Sequence, residues 1–172
     1  LEPLTPQRKE EDAHQNRLRQ LMEESVLFYQ HFLIQNELVK PALEYLAKRG
    51  LTSETITAFG LGYAPAGWDT LLTHFTGRGY STAELIEAGL LSENPEKERV
   101  YDRFRNRVMI PIRDSQGRMA GFGARVLDPN DVPKFLNSPQ TVLFDKGRLL
   151  YGMDRARKSI RELDQAVIVE GY

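Results

Sequence analysis

Cysteine is absent from this chain of 172 residues, and histidine occurs only three times. Without cysteine the chain has no disulfide framework and no thiolate metal site, which is consistent with a reduced cytoplasmic setting. His14, His31 and His74 lie far apart in the sequence and lack the spacing of a ligand set. We therefore expect no zinc site in this chain.

Long apolar runs and an excess of charge of one sign are also missing. No apolar run approaches the length of a membrane span, and the amino-terminal residues are charged rather than arranged as a signal peptide. These features predict no membrane partner and a cytoplasmic location. The formal net charge is −1 and favours no class of partner.

The distribution of charge is more informative than its total. Residues 1–100 carry 10 Lys/Arg and 15 Asp/Glu, whereas residues 101–172 carry 13 and 9. The carboxyl-terminal part is thus net basic, and it is the candidate face for a polyanion. The acidic part is expected to serve as scaffold or neighbour.

Helical patterns dominate the first 90 residues. Apolar residues recur near the helical period, and residues that favour helix starts and stops divide the pattern into segments. A proline opens the second segment, Thr52 and Ser53 cap the third, and Ser81 with Glu84 forms a capping box for the last. The predicted helices cover residues 7–35, 41–49, 53–58, 68–75 and 82–88.

Two stretches between these patterns predict irregular structure. Residues 60–67 contain a GxG sequence but lack the third glycine and the strand–helix context of a dinucleotide loop. They predict a structural turn. The polar segment from Ser92 to Arg99 predicts an internal linker between a helical part and a mainly β part.

The second part of the chain reads as short strands and turns. Residues 108–112 and 119–126 predict a hairpin around a turn at 114–117. A helix is expected over 153–163, and the apolar run 165–169 predicts a strand that is covered on both faces. Glu170 ends that run, where open α/β sheets place their chemistry. Because the sequence stops directly after this run, we expect a piece of a longer protein.

The segment from Arg99 to Arg148 interleaves cations with aromatic residues, prolines and glycines. Arg103, Arg105 and Arg107 occupy alternate positions and would project from one face of an extended chain. A surface with many cations and exposed aromatic rings suits a single-stranded nucleic acid. The same composition also fits a solvated hairpin face that is rich in arginine.

Several segments together resemble the RNA-polymerase domain of bacterial DnaG-type primases. They occur in the order and spacing of that family, and the similarity covers most of the chain from about residue 37 onward. The segments are YLAKRGL (45–51), GYAPAGWD (62–69), YDRFRNRVMIPIRD (101–114), GFGARVL (121–127), PKFLNSPQT (133–141), FDKGRLLYG (144–152) and VIVEGY (167–172).

The resemblance implies an α+β fold. A helical amino-terminal part would precede a small, mainly antiparallel β region, and the chain would end in the first strand of a truncated Toprim α/β fold. The implied units are an amino-terminal helix or linker (1–36), the amino-terminal subdomain of the polymerase domain (37–152) and the start of the Toprim subdomain (153–172).

The resemblance also implies a chemistry. Glu170 would be the first Toprim acid, a catalytic residue and ligand of Mg²⁺ or Mn²⁺ in the complete enzyme, with the other acids beyond Tyr172. A lone glutamate cannot assemble a site for nucleotidyl transfer with two metals. We therefore expect this chain alone to be inactive as a polymerase.

The family's template groove is basic, and its positions carry over to this sequence residue by residue. Phe135 stands where the family often has tyrosine, which keeps a stacking face and loses a hydroxyl group. The implied nucleic-acid-binding residues are Arg49, Arg103, Arg105, Arg107, Arg125, Lys134, Phe135, Asn137 and Lys146.

The partners that this reading implies are single-stranded template DNA, an RNA primer, nucleoside triphosphates and, through a domain absent here, the replicative helicase. A single-stranded nucleic-acid-binding module without catalytic lineage explains the basic half equally well, although not the strand that ends in Glu170. A metabolite-binding α/β domain is a third reading, in which residues 60–67 or 121–123 would form a phosphate loop. Neither stretch has a Walker or dinucleotide pattern.

Overall fold

A long amino-terminal helix, α1 (Pro6–Gln35), supports the rest of the fold. The computed structural model describes residues 6–35, 39–128 and 130–170. The side chains that α1 buries begin at Leu18 and recur at helical spacing up to Leu33, as the apolar pattern predicts. Residues 6–17 are exposed, so only the second part of the helix packs against the body.

Four shorter helices follow, and two of them, α3 and α5, begin at the predicted caps. They are α2 (Lys40–Lys48), α3 (Ser53–Ala58), α4 (Thr70–Thr76) and α5 (Thr82–Glu87). The Thr52 hydroxyl accepts a hydrogen bond from the Thr55 amide at 3.3 Å. At α5 the Ser81 and Glu84 side chains form the reciprocal capping box. Helix α4 differs, because the amides of Leu71 and Leu72 donate to the distant Asp102 carboxylate at 2.7 and 3.0 Å.

The main sheet has four antiparallel strands in the order β1-β4-β5-β6. The strands are β1 (Gly62–Ala64), β4 (Arg107–Arg113), β5 (Met119–Val126) and β6 (Phe135–Asn137). The predicted hairpin is confirmed as β4 and β5. The prediction of a turn over 60–67 is wrong at its centre, because the three buried residues of β1 pair with β4.

A second sheet replaces the predicted linker. Strands β2 (Leu91–Asn94) and β3 (Arg99–Asp102) pair as an antiparallel hairpin around a 3₁₀ turn over Pro95–Lys97. The linker prediction is wrong because the pairing uses backbone hydrogen bonds, to which polar side chains are no obstacle. The segment between the helical part and the main sheet is therefore a paired hairpin rather than a linker.

The core lies between α1 and the four-stranded sheet. The Tyr29 ring of α1 meets the Phe122 ring of β5 edge-on, with centroids 5.3 Å apart, and Phe104 packs on the same ring at 6.2 Å. At Gly62, a Cβ atom would lie 2.6 Å from the Tyr29 backbone. The helix and β1 thus approach as closely as glycine permits.

Helix α6 (Met153–Leu163) confirms the predicted helix and lies on the outside of the fold. The Arg155 guanidinium donates to the Ala58 carbonyl and lies 4.3 Å from the Phe59 ring centre, while Arg157 donates to the Ser115 carbonyl at 3.0 Å. These arginines hold α6 against the body by its polar face.

The strand predicted over residues 165–169 does not form. Val167, Ile168 and Val169 are 83%, 77% and 77% exposed and adopt no regular structure. A strand needs at least one hydrogen-bonded neighbour, and no part of the described chain pairs with this run. Its assignment to a Toprim fold remains a prediction. Residues 171–172 and the expected boundary at 36/37 lie outside the described residues.

The observed class is α+β, with amino-terminal helices and antiparallel sheets, as expected. In the part of the chain that the structure describes, no helix has both the length and the apolar character needed to cross a bilayer.

Candidate nucleic-acid interface

An open groove of about 890 Å³ brings together four of the predicted site residues: Arg49, Arg125, Phe135 and Glu170. Its walls come from α2, α3, β4, β5 and β6, and from the chain end at Val169 and Glu170. We call it the Arg125 groove. Residues more than 100 positions apart in the sequence therefore share one surface.

Aromatic rings hold the two arginines of the Arg125 groove. The guanidinium carbon of Arg125 lies 4.4 Å from the Phe135 ring centre and 5.9 Å from that of Tyr45. The guanidinium carbon of Arg49 lies 5.3 Å from the same Tyr45 ring. Among the described residues neither arginine forms an ion pair with a carboxylate. Their positive charge is thus oriented by rings and remains uncompensated.

The backbone pairing explains why Arg125 meets Phe135. The two residues are partners in the antiparallel register of β5 and β6, so their side chains emerge on the same face of the sheet. The Nε atom of Arg125 is buried without a hydrogen-bond partner. A residue that lines the groove thus has an unsatisfied donor.

A second, smaller cavity of about 410 Å³ contains the three arginines of the DRFRNR segment, and we call it the Trp68 cavity. The guanidinium carbon of Arg105 lies 3.9 Å from the Trp68 ring centre and 5.1 Å from that of Tyr101. Arg105 also donates to the Asp102 carbonyl. A half-exposed tryptophan ring and a stacked cation therefore face solvent together.

Arg103 and Arg107 have a different environment from Arg105. Nη2 of Arg103 donates to the Asn137 carbonyl at 2.9 Å, and Nη1 of Arg107 donates to the Pro133 carbonyl at 2.6 Å. Burial lowers the pKa of both guanidinium groups from the usual value. Arg107 is only 6% exposed.

The prediction that an extended chain projects these arginines is wrong in its mechanism. Residues 103–106 are irregular, and Asn106 has a left-handed φ of 51°. The segment bends between β3 and β4, and this bend still directs Arg103, Arg105 and Arg107 into one cavity.

Three further predicted residues lie outside the linings of both cavities. Lys134 is exposed, and its carbonyl accepts from the Val126 amide at 3.2 Å. It lies between Pro133 of the Trp68 cavity and Phe135 of the Arg125 groove. The other two are Asn137 at the end of β6 and the exposed Lys146 in the following loop.

Sequence reasoning missed the aromatic residues that hold the arginines. Tyr45 precedes Arg49 by four positions in α2, a spacing that places both on one helix face. The chain's single tryptophan, Trp68, is 50% exposed. An aromatic residue at i−4 from a cation was the available signal for Tyr45, whereas the position of Trp68 depends on tertiary structure.

The described residues do not make a divalent-metal site. Glu170 lines the Arg125 groove, but no group of three or more His, Asp or Glu residues that could hold an ion occurs within the described ranges. Mg²⁺ and Mn²⁺ prefer several oxygen ligands. One carboxylate at the groove does not meet that requirement.

The two glycine-rich stretches do not present phosphate loops. A Cβ atom at Gly62 would meet the Tyr29 backbone at 2.6 Å, and one at Gly121 would meet the Phe144 ring at 2.6 Å. Both glycines are buried in strands. Close packing therefore keeps the backbones of these two glycines away from a phosphate.

The fold has counterparts of known structure. A DnaG primase catalytic domain bound to single-stranded DNA is 48% identical, with a TM-score of 0.84 over 94% of this chain and 49% of that chain. The RNA polymerase domain of Mycobacterium tuberculosis DnaG, in complex with double-stranded DNA bearing a 6-nucleotide overhang, is 38% identical. Its TM-score is also 0.84, over 91% of this chain and 49% of that chain.

Sequence comparisons give the same result. The DNA primase of Deinococcus radiodurans is 60% identical over 132 residues, which are 77% of this chain and 23% of that protein. The DNA primase of Escherichia coli is 49% identical over 162 residues, or 94% and 27%. The chain thus spans about a quarter of these relatives. Residues 28–157 match the family model described as "DNA primase catalytic core, N-terminal domain", and the chain belongs to that family.

Proposed function

We propose that this chain holds single-stranded template DNA for a bacterial DNA primase, which synthesises RNA primers in replication. The observation that carries the proposal is the Arg125 groove, where Arg49 and Arg125 are oriented by Tyr45 and Phe135 and lack carboxylate partners. The relatives are DNA primases, and one structural neighbour is bound to single-stranded DNA.

Primer synthesis requires a template whose bases are open for pairing. Cations along a groove bind the phosphates without sequence preference, and an exposed ring stacks a base for about 1–3 kcal/mol. Phe135 is 53% exposed and Trp68 50% exposed, so each offers a ring surface. Arginine suits both tasks, because its planar group makes paired phosphate contacts and also stacks.

The proposal assigns the polymerisation chemistry to the complete enzyme. Glu170 would contribute one carboxylate to a Mg²⁺ or Mn²⁺ site there. Nucleoside triphosphates, the RNA primer and the replicative helicase would be partners of the complete enzyme in the cytoplasm. Since the described residues make no metal site, we expect this chain to bind DNA without extending a primer.

An oligonucleotide titration tests the proposal. A fluorescently labelled 20-mer of thymidylate is titrated with the 172-residue chain at 50 and 200 mM NaCl. We expect saturable binding that weakens as salt rises, with a slope set by about 0.7 per phosphate contact. A chain that shows no binding at 50 mM NaCl would overturn the proposal. Stabilisation by a nucleotide alone in a thermal shift, with no response to the 20-mer, would overturn it in favour of a metabolite site.

Primer synthesis itself provides the second test. The chain is incubated with a single-stranded template, ribonucleotides and Mg²⁺, and the products are separated by size. We expect none. RNA products made by these 172 residues would contradict the assignment of chemistry to the complete enzyme. The proposal that the chain binds DNA would still be decided by the titration.

A further inference from the structure

Strand β6 is a short edge strand of the candidate interface. It has three residues, lies at the edge of the sheet and, among the strands that the structure describes, pairs only with β5. An edge strand of this length gains few ladder hydrogen bonds. It nevertheless carries Phe135, whose ring contacts the Arg125 guanidinium. Backbone hydrogen bonds to the β5 segment continue past both ends of β6, from the Val126 amide to the Lys134 carbonyl at 3.2 Å and from the Ser138 amide to the Phe122 carbonyl at 2.8 Å. Side-chain contacts to other carbonyls of this segment add to these bonds.

Two arginines contact the backbone on either side of β6. Before the strand, Nη1 of Arg107 donates to the Pro133 carbonyl at 2.6 Å, and its Nη2 donates to the Val132 carbonyl at 3.5 Å. At the end of the strand, Nε and Nη2 of Arg103 donate to the Asn137 carbonyl at 3.3 and 2.9 Å. The carbonyls flanking residues 134–136 are therefore both occupied by guanidinium groups.

We propose that Arg103 and Arg107 form a carbonyl clamp that fixes β6, and that they are positioning residues for Phe135 rather than ligands of DNA. The functional part of this inference rests on the proposed DNA binding. It divides the three arginines of the Trp68 cavity into two that hold the protein and one, Arg105, that meets the nucleic acid.

The hydrogen bonds and burial support this division. The Nη1 atom of Arg103 also lies 3.5 Å from the Ser92 hydroxyl, so this guanidinium is turned toward protein groups. Arg107 is 6% exposed and offers DNA almost no surface. Arg105 makes one bond to a carbonyl within its own loop and otherwise stacks on the rings of Trp68 and Tyr101.

The sheet register connects the clamp to the groove. Asn137, which Arg103 holds, is opposite Gly123, and Phe135 is opposite Arg125. Among the described cation–ring pairs, neither clamp arginine contacts the Phe135 ring. Their effect on it is indirect, because releasing the ends of β6 would let the Phe135 ring move away from the Arg125 guanidinium.

Amide hydrogen exchange tests the clamp without DNA. Arg103→Gln and Arg107→Gln are compared with Arg105→Gln, which removes the same charge from the same cavity. We expect the amides of residues 135–138 to exchange at least 10-fold faster in the two clamp variants. Those of β4 should keep their rates, and Arg105→Gln should leave residues 135–138 unchanged. Equal exchange in all three variants would overturn the clamp. Because Arg107 is buried, Arg103→Gln decides the matter if Arg107→Gln does not fold.

DNA binding distinguishes a positioning residue from a ligand. Loss of a phosphate ligand lowers the salt slope by about 0.7, whereas loss of position weakens binding at an unchanged slope. We expect Arg105→Gln to lower the slope and Arg103→Gln to reduce affinity alone. In a Phe135→Ala background, Arg103→Gln should have less than a twofold further effect. A lowered slope for Arg103→Gln would make it a DNA ligand and overturn its assignment.

The two proposals fail separately. If the parent chain binds no oligonucleotide, the proposed function is overturned, whereas the exchange rates of residues 135–138 still decide whether the clamp exists. If the parent binds and β6 exchanges equally fast in all variants, only the clamp is overturned.

Discussion

The guanidinium carbon of Arg125 lies 4.4 Å from the ring centre of Phe135, its partner across the β5–β6 pairing. This contact joins the two properties that a single-stranded nucleic acid needs, a positive charge for phosphate and a flat surface for a base. The contact also restrains the arginine side chain before any ligand arrives, so less conformational entropy remains to be lost on binding.

Arg125→Gln should weaken binding of a thymidylate 20-mer and lower the salt slope by about 0.7, because one phosphate contact is lost. Fluorescence titrations at several salt concentrations measure both quantities. Arg118→Gln is the matched control, since it removes the same charge near the turn of the same hairpin. Arg118 is ion-paired with Asp114 at 2.8 Å and lines neither cavity. An equal loss in both variants would show that general charge, not the groove, attracts DNA.

Phe135→Ala should lower the affinity for the 20-mer by about 1–3 kcal/mol, the contribution of a stacked base. Phe135→Tyr should bind like the parent, because it keeps the ring. Phe135 is 53% exposed, so neither substitution should unfold the chain, and circular dichroism provides that control. Affinity unchanged in Phe135→Ala would exclude this ring as a stacking surface.

Glu84→Gln should destabilise the fold near neutral pH and have no effect in strong acid. Arg17 and the backbone of Ser81 hydrogen-bond the Glu84 carboxylate and lower its pKa from 4.5 to about 2. A carboxyl with a lowered folded-state pKa stabilises the protein above its unfolded-state pKa, and that contribution disappears as pH falls from about 4.5 to 2.

Thermal unfolding of Glu84→Gln and the parent between pH 2 and 7 measures this effect. The difference in Tm should be largest above pH 5 and vanish near pH 2. Glutamine keeps one oxygen that can accept from the Ser81 amide, but its amide nitrogen cannot accept from Arg17. The variant therefore removes the charge together with the Arg17 hydrogen bond. A pH-independent difference would mean that the carboxylate acts through packing instead.

Gly62→Ala should destabilise the chain by about 1–3 kcal/mol, the usual range for overpacking. The new methyl group would lie 2.6 Å from backbone and Cβ atoms of Tyr29, which belong to a helix and cannot turn aside. Urea unfolding measures the loss. Gly147→Ala is the control, since its methyl would meet only the Asp145 carboxylate oxygen at 3.4 Å, and it should change stability by less than about 0.5 kcal/mol.

Local signals predicted the helices and the central hairpin because their causes are local. The capping box at Ser81 and the apolar spacing of α1 act within a few residues. Residues 60–67 were predicted as a turn because they are rich in glycine and β1 has only three residues. The strand forms because these residues pair with residues 107–109. Such pairing has no local signature.

The site was predicted as a set of cations, and the structure shows what each cation contacts. Arg49 and Arg125 do share a groove with Glu170, whereas Arg107 is enclosed by backbone carbonyls. The pattern of cations in the sequence cannot distinguish an arginine that lines the groove from one that is enclosed. The acceptors of Arg107 are main-chain atoms some 25 positions away. The Tyr45 ring contacts both groove arginines. Its contact with Arg49 had a local signal, the spacing of four positions in α2, whereas its contact with Arg125 joins residues 80 positions apart.

The Arg125 groove also has a consequence for how the protein is made. Its parts leave the ribosome in the order α2, β5 and β6, so a nascent chain that ends just after β5 holds Arg49 and Arg125 but not the ring of Phe135. Only after β6 emerges can the two guanidinium groups and the stacking ring face one channel. Partial translation products should therefore not compete with the finished protein for unpaired DNA.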